Sequence, residues 1–251
     1  MYPVKNIAIL GSGNVGRYFL ENLKRKKLVV AGYARRPVNG FEPLEAYHQQ
    51  TGSFDLTLLC VNDDAIADLS AALPSVPGIL AHVSGVSDLD ILDSRHPYRA
   101  VFYPLMSIRS EAPPAIQAIP FCIESHDASV ELALIDLVHQ LGARSHQLNS
   151  AQRQYLHLAA VVSQNFSNFL IGKAKEILDT QGVDYRILLP LLQQSLERLK
   201  FSDPREVQTG PAVRGDTASM HKHLEMISSG DLLKIYQLLS ENIQKDHDKK
   251  L

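Results

Sequence analysis

Apolar runs alternate with helical patterns along the first 150 residues of the chain. Seven runs have the length and the bounding residues expected of strands. They are Asn6–Leu10, Leu28–Tyr33, Leu56–Val61, Ile79–Val83, Ala100–Tyr103, Pro120–Glu124 and Arg144–Leu148. Helical periodicity is clearest at Val15–Lys26, Asp64–Leu73 and Ala128–Leu141. Strands that alternate with helices predict βαβ units and therefore a mostly parallel sheet of the α/β class.

After residue 150 the pattern is helical only. The predicted helices are Ala151–Thr180, Asp184–Lys200, Thr217–Ser228 and Asp231–Lys245. Asp216, directly before the third of them, is a residue type that caps helix N-termini. The change of pattern predicts two domains: residues 1–150 around the sheet, and an all-helical C-terminal domain of residues 151–251.

Residues Gly11-Ser12-Gly13-Asn14-Val15-Gly16 match G-x-G-x-x-G between the first strand and the first helix. In this position the pattern is typical of dinucleotide binding. Gly11 permits the tight turn, Gly13 lets the backbone approach a pyrophosphate, and Gly16 lets the helix pack on the strand. We therefore predict an N-terminal Rossmann domain with a doubly wound sheet. An ordinary βα turn that binds no nucleotide is the alternative.

Two arginines, Arg35 and Arg36, follow the second strand. A site that prefers NAD carries Asp or Glu there, which accepts from the ribose hydroxyls. In this chain the next acidic residue is Glu42. Because guanidinium groups pair bidentately with phosphate, the two arginines predict a 2′-phosphate and hence NADP(H). Two solvated surface arginines are the alternative interpretation.

Two further polar residues follow strands at the same predicted edge of the sheet. Asn62 follows the third predicted strand and Ser84 the fourth. Ligands collect at the carboxyl ends of parallel strands. We therefore expect both side chains to lie near the nicotinamide ribose or amide.

The segment Gln154–Gly172 contains no charged residue, which is typical of a buried helix. At 100° per residue one face is apolar, and we expect Tyr155 to pack on it. That face carries Leu158, Val162, Phe166 and Phe169. The opposite face carries His157, Gln164 and Asn168, with Asn165 at its edge. The polar stripe predicts a lined cavity or a subunit interface.

His157 is the residue of this stripe that can exchange protons near neutral pH. We interpret it as a general acid or substrate anchor, with Asn165 as an orienting group; a structural, hydrogen-bonded histidine is the alternative. Arg214 lies in a glycine- and proline-containing turn, Thr209–Asp216. It could bind a substrate carboxylate, pair with Asp216 or clamp a neighbouring helix.

Composition narrows the possible functions. The 25 basic and 27 acidic residues leave a formal charge of −2, so a nucleic-acid partner is not expected. Cys60 and Cys122 lie in strand-like runs and are predicted to be buried thiols. His221 and His223 face different sides of a helix, so no metal site is predicted. No signal-like or membrane-spanning run is evident, which favours a cytoplasmic protein.

The chain resembles the Rossmann-like proteins that carry a DUF2520 domain. The resemblance lies in several short segments along the whole sequence. They are Gly11–Gly16, Val83–Gly85, Phe102–Leu105, Tyr155–His157 with Asn165, and Thr209–Asp216 followed by His223 and Leu224. Members more often have histidine in place of Tyr103. More distantly the chain is similar to pyrroline-5-carboxylate and ketopantoate reductases and to β-hydroxyacid dehydrogenases, although Val161 stands where the last of these carry a catalytic lysine.

The resemblance implies an NADP(H)-dependent oxidoreductase that transfers hydride to or from a small C=O or C=N substrate at an interdomain cleft. It also implies a homodimer that forms through the helical domain. His157, Asn165 and Arg214 are the predicted catalytic residues. A non-catalytic NADP(H)-binding sensor or scaffold, and a reductase linked to coenzyme F420, remain alternatives.

Overall fold

A computed structural model describes residues 3–36, 38–228 and 230–248. The chain divides into two compact units, Met1–Val161 and Val162–Leu251. The sequence predicts a division after residue 150. In the structure only the N-terminal part of the first predicted helix of the helical domain, Ser150–Ala160, therefore belongs to the first unit.

An eight-stranded sheet forms the centre of the first unit, with the strand order β3-β2-β1-β4-β5-β6-β7-β8. The strands are β1 Asn6–Leu10, β2 Val29–Ala34, β3 Phe41–Pro43, β4 Leu56–Leu59, β5 Ile79–His82, β6 Tyr98–Pro104, β7 Pro120–Ser125 and β8 Arg144–Gln147. All neighbours are parallel except the antiparallel pair β6 and β7. The order of the first six strands is that of the Rossmann fold, which confirms the predicted fold class.

Helices cover both faces of this sheet. They are α1 Asn14–Lys24, α2 Leu44–His48, α3 Ile66–Ala72, α4 Ala128–Leu141 and α5 Ser150–Ala160. Because side chains alternate along a strand, Ile7 and Ile9 of β1 join the apolar layer under α1 and α4. Ala8 and Leu10 join the layer under α2 and α3. The sheet is buried on both sides, as a doubly wound fold requires.

Helix α5 is attached to the sheet by a buried ion pair. Arg153 is fully buried and pairs with Glu124 on β7, while its other terminal nitrogen donates to the carbonyl of Ser87. The Ser150 hydroxyl also donates to Glu124. These contacts explain why α5 belongs to the sheet unit.

Helical structure continues beyond α5 through a π-helical segment, Val161–Phe166, into α6 Ser167–Asp179. The remaining helices are α7 Leu189–Arg198, α8 Thr217–Met226 and α9 Gly230–Asp248. Asp216 caps α8 by accepting from the Ser219 amide, as predicted. The i→i+5 bonds of the π segment place more residues in each turn than an α-helix does. The uniform helix assumed for the polar stripe is therefore wrong across residues 161–166.

The burial predicted for this long helix is also wrong within the single chain. Its apolar face, Leu158, Val162, Phe166 and Phe169, is more than half exposed at every position, and Tyr155 is exposed as well. In the described part of the second unit Ala212 is the only buried residue. Within the described residues no helix has both the length and the apolar character needed to span a membrane.

Candidate functional site

The turn between β1 and α1 is bonded to the strands on both sides. The Gly11 amide donates to the Tyr33 carbonyl of β2 at 2.8 Å, and the Cys60 amide donates to the Leu10 carbonyl at 2.8 Å. Gly11 has φ +118°, a conformation that favours glycine. The turn is therefore placed at the carboxyl edge of the sheet, between the ends of β2 and β4.

The three glycines of the turn have different surroundings. A Cβ atom on Gly11 would clash with the Cys60 carbonyl oxygen, and one on Gly16 would clash with the Gly11 carbonyl oxygen. A Cβ on Gly13 would meet no described atom within 4 Å. Gly11 and Gly16 are therefore required by the fold, whereas Gly13 leaves open space on the outer side of the turn.

Helix α1 begins at this turn without a side-chain cap and without an acidic residue in its first turn. The backbone amides of its first residues, among them Asn14 and Val15, can therefore bind an anion, and the helix dipole favours the negative charge there. The Arg17 side chain bends back and donates from Nε to the Ser12 carbonyl at 2.8 Å. That bond connects the first turn of α1 to the glycine turn.

A cavity of about 610 Å³ opens beside Gly11, Ser12 and Gly13. The ends of β2 and β4 form its sides, and Asn62 lines it at the end of β4. The apolar part of the lining includes Val38, Leu44, Ala65 and Leu69. Arg35 and Arg36 are its only charged lining residues among those described, and both are exposed. The cavity therefore suits an elongated ligand that carries an apolar ring and more than one anionic group.

Further along the same edge of the sheet, Tyr103 meets His157. The Tyr103 hydroxyl, at the end of β6, lies 3.0 Å from Nδ1 of His157 on α5. Gly85, in the turn after β5, lies against both rings, since a Cβ there would lie 2.5 Å from Nδ1 and 2.8 Å from Cζ of Tyr103. The sequence did not predict this contact, because 54 residues separate Tyr103 and His157.

The family comparison adds to this geometry. Residues 119–243 match the model of a domain of unknown function, DUF2520. No curated protein matches the sequence.

Solved structures show the same fold over 96% or more of the chain. The putative NADP oxidoreductase BF3122 from Bacteroides fragilis has a TM-score of 0.82 at 25% identity and covers 96% of this chain and 98% of its own. Protein TM1727 from Thermotoga maritima has a TM-score of 0.72 at 22% identity and covers 97% of this chain and 99% of its own. A reductive aminase from Aspergillus terreus, solved with NADPH, has a TM-score of 0.73 at 14% identity and covers both chains completely.

The segment that matches the DUF2520 model contains the three predicted catalytic residues but not the glycine turn. His157 is partly buried in the first unit, whereas Asn165 and Arg214 are exposed residues of the second unit. Asn165 lies in the π-helical segment. The pKa of Asp216 is lowered, mainly by hydrogen bonds from Ser219, and the nearby charge of Arg214 contributes.

Ser84, predicted as a cofactor neighbour, does not line the cavity. Its buried hydroxyl accepts from the amides of Val86 and Ser87, at 3.1 and 3.0 Å. The turn after β5 therefore uses this oxygen as an acceptor. The signal for that role is a serine followed by glycine at a strand end, which is typical of a side-chain-to-backbone turn.

Cys60 and Cys122 are buried free thiols, as predicted. Burial raises the pKa of the Cys60 thiol, and it raises that of Cys122 to about 11. Because thiolates are the reactive form of cysteine, these two residues contribute packing to the site and no nucleophile.

Proposed function

We propose that the chain is an NADP(H)-dependent oxidoreductase whose first unit binds the cofactor. The observation that carries this proposal is the cavity beside the glycine turn, in which Arg35 and Arg36 are the only charged lining residues among those described. Two arginines without a carboxylate favour a dianionic 2′-phosphate over free ribose hydroxyls. The likeness to BF3122, a putative NADP oxidoreductase, supports the same cofactor.

The strand order supports a specific path for the dinucleotide. The ends of β2, β1, β4 and β5 follow one another along one edge of the sheet. They carry, in that order, the two arginines, the glycine turn, Asn62 and Gly85. Three strand spacings of about 4.8 Å give roughly 15 Å, the scale of an extended dinucleotide. The adenosine phosphate would lie at β2, the pyrophosphate at the glycine turn and the nicotinamide near Asn62 and Gly85.

Bound NADPH supplies a hydride, and the protein orients the substrate and supplies a proton. His157 is the proposed proton donor or anchor, because it lies against Gly85 at the proposed nicotinamide end of this path. The proposed substrate is a small molecule with a C=O or C=N bond. An orienting role for Asn165, an anion-binding role for Arg214 and a substrate site between the two units are further parts of the proposal that rest on the sequence alone.

The cofactor assignment is tested by replacing Arg35 and Arg36 together with alanine. The loss of charge-assisted bonds to the 2′-phosphate should weaken NADPH binding roughly a hundredfold or more, while NADH binding changes little. Isothermal titration calorimetry with both nucleotides measures the two affinities. Lys24→Ala with Arg25→Ala, which removes the same charge from exposed positions at the far end of α1, is the matched control. Equal weakening of NADPH and NADH contradicts the assignment.

We also propose that the protein is a homodimer formed through its second unit. That unit exposes large apolar side chains on its helices and in the turn after α7, among them Ile187, Leu191, Leu196, Phe201 and Leu238. Helices in water gain most of their stability by packing an apolar face, and Ala212 alone is buried in the described part of this unit. A second copy of the same amphipathic helices, packed about a twofold axis, would cover these faces.

A further inference from the structure

The contact between Tyr103 and His157 involves a buried phenol and a partly buried imidazole. Tyr103 belongs to the apolar layer between the sheet and helices α2 and α3. His157 lies on α5, which the buried Arg153–Glu124 pair attaches to the sheet. Gly85 leaves no room for the imidazole to move toward the turn after β5. The two rings are therefore held from both sides.

The state of the phenol allows it to donate in this hydrogen bond. Burial raises the pKa of Tyr103 to about 12, so the hydroxyl keeps its proton at neutral pH. His157 Nδ1 is its only hydrogen-bond partner among the described residues. A neutral imidazole has one protonated nitrogen and one acceptor nitrogen. If the hydroxyl donates to Nδ1, the imidazole proton lies on Nε2.

Nε2 of His157 is the nitrogen that remains available. It makes no hydrogen bond to any described residue. Among the described residues, only Nε of Arg153 is a buried side-chain nitrogen or oxygen without a hydrogen-bond partner. Nε2 of His157 is therefore not buried. Nε2 therefore reaches solvent at the carboxyl edge of the sheet. A proton at that atom can be given to a ligand.

We propose that Tyr103 is a positioning residue that holds His157 as the Nε2–H tautomer and makes Nε2 the proton-delivering atom of the site. The proposal deepens the proposed reductase function and rests on it. Tyr103 acts through His157 and is not itself required to touch the substrate.

The proton balance of the proposed reaction gives the Tyr103 phenol a second role, as a proton donor to His157. When hydride adds to the carbon of a C=O bond, the π electron pair moves to oxygen, which takes the proton from Nε2. Loss of that proton from a neutral imidazole alone would leave an unfavourable imidazolate. Transfer of the Tyr103 proton to Nδ1 in the same step keeps His157 neutral. Nε2 then takes a proton from water while Nδ1 returns its proton to the phenolate, which restores the starting state. Burial disfavours the phenolate more than the nearby charge of Arg153 favours it, so the proton returns to the phenol.

The tautomer can be observed by nitrogen NMR of the full-length protein labelled with ¹⁵N-histidine, in alkaline buffer where histidine is neutral. The signal of His157 is identified among the ten histidines by its loss in His157→Gln. The proposal predicts a bare Nδ1 and a protonated Nε2. In Tyr103→Phe the Nδ1 resonance should shift, because its hydrogen bond is lost. A protonated Nδ1 in the native protein, or an unchanged Nδ1 resonance in Tyr103→Phe, overturns the proposal.

Matched variants separate this effect from general loss of structure. Tyr47→Phe removes another buried phenol hydrogen bond, the 2.9 Å bond to Thr57, and should leave His157 unchanged. If Tyr103→Phe does not fold, Gly85→Ala provides the second test, since its Cβ would displace the imidazole. Gly52→Ala, where a Cβ meets open space, is its control. NADPH titration of the same samples keeps the two proposals distinct, because the tautomer is measured without nucleotide.

Discussion

At the residue scale, the three glycines of the turn do not all have the same role. Gly11 and Gly16 are required because a Cβ would overlap backbone oxygens. Gly13, the N-cap residue of α1, has φ −69° and ψ −177°, an extended conformation that other residues also adopt. Neither its backbone nor its neighbours exclude a side chain. The role that remains for Gly13 is to keep space free for a ligand.

The substitution Gly13→Val tests this interpretation. The valine side chain would fill the space proposed for the pyrophosphate, so NADPH and NADH binding should both fall by about a hundredfold or more, while the melting temperature changes little. Calorimetric titration and thermal unfolding measure the two effects. Gly52→Val, another glycine with open space around it, should affect neither nucleotide. Retained NADPH affinity in Gly13→Val would refute the proposed position of the pyrophosphate.

At the element scale, His82 holds the turn after β5 to its strand. Its Nδ1 accepts from the Ser84 amide at 3.2 Å, which leaves Nε2–H to donate to the Asp88 carbonyl at 3.3 Å. The ring is fully buried. Burial, with the nearby charge of Arg153, lowers the pKa of His82 to about 4. The turn that contains Gly85 therefore depends on a neutral histidine.

This predicts a loss of stability in mild acid. In the unfolded chain a histidine binds a proton near pH 6.5, whereas His82 in the folded protein does so only near pH 4. The free energy of unfolding should therefore fall as the pH drops from about 6.5 to about 4, by on the order of 3 kcal/mol. Urea unfolding at a series of pH values measures this slope. His82→Gln should flatten it, and the exposed His48→Gln should not; equal slopes in the two variants contradict the assignment.

Elements with strong local signals were predicted from the sequence, and those that depend on distant contacts were not. Helix Ala128–Leu141 is confirmed at both ends, because Asp127 caps its first amides and Gly142 ends it at φ +77°. Strand Phe41–Pro43 was missed, since three residues carry no periodicity and its pairing with β2 is decided by the fold. The π-helical segment was missed because its composition resembles that of an ordinary α-helix.

The residues of the candidate site also differ in whether local sequence signals could predict them. The glycine turn and the arginine pair are each a short run of neighbouring residues, so local pattern and residue chemistry were enough to predict them. The contact of Tyr103 with His157 depends on how α5 packs beside β6. That packing is set by the buried pair of Arg153 and Glu124. No local pattern encodes it.

At the scale of the whole molecule, the two units bury apolar surface very differently. The first unit has an apolar layer on each face of its sheet. The second unit leaves its leucine-rich helices exposed. Exposed apolar surface of this extent supports the proposed dimer.

The proposed dimer is tested by sedimentation velocity over a range of protein concentrations. The native protein should sediment as a dimer at micromolar concentration. Leu196→Lys places a charge on an exposed apolar position of α7 and should raise the dimer dissociation constant about tenfold or more. Gln194→Lys, at an exposed polar position of the same helix, should have little effect. A native protein that is monomeric at all concentrations contradicts the proposal.

The central claim is that the first unit binds NADP(H) through the glycine turn and a pair of arginines. The most direct measurement is a calorimetric titration of the native protein with NADPH, NADP⁺ and NADH side by side. The account predicts micromolar binding of both NADP forms and much weaker binding of NADH, because NADH lacks the 2′-phosphate. Equal affinities for NADPH and NADH, or no binding of any of the three, would contradict it.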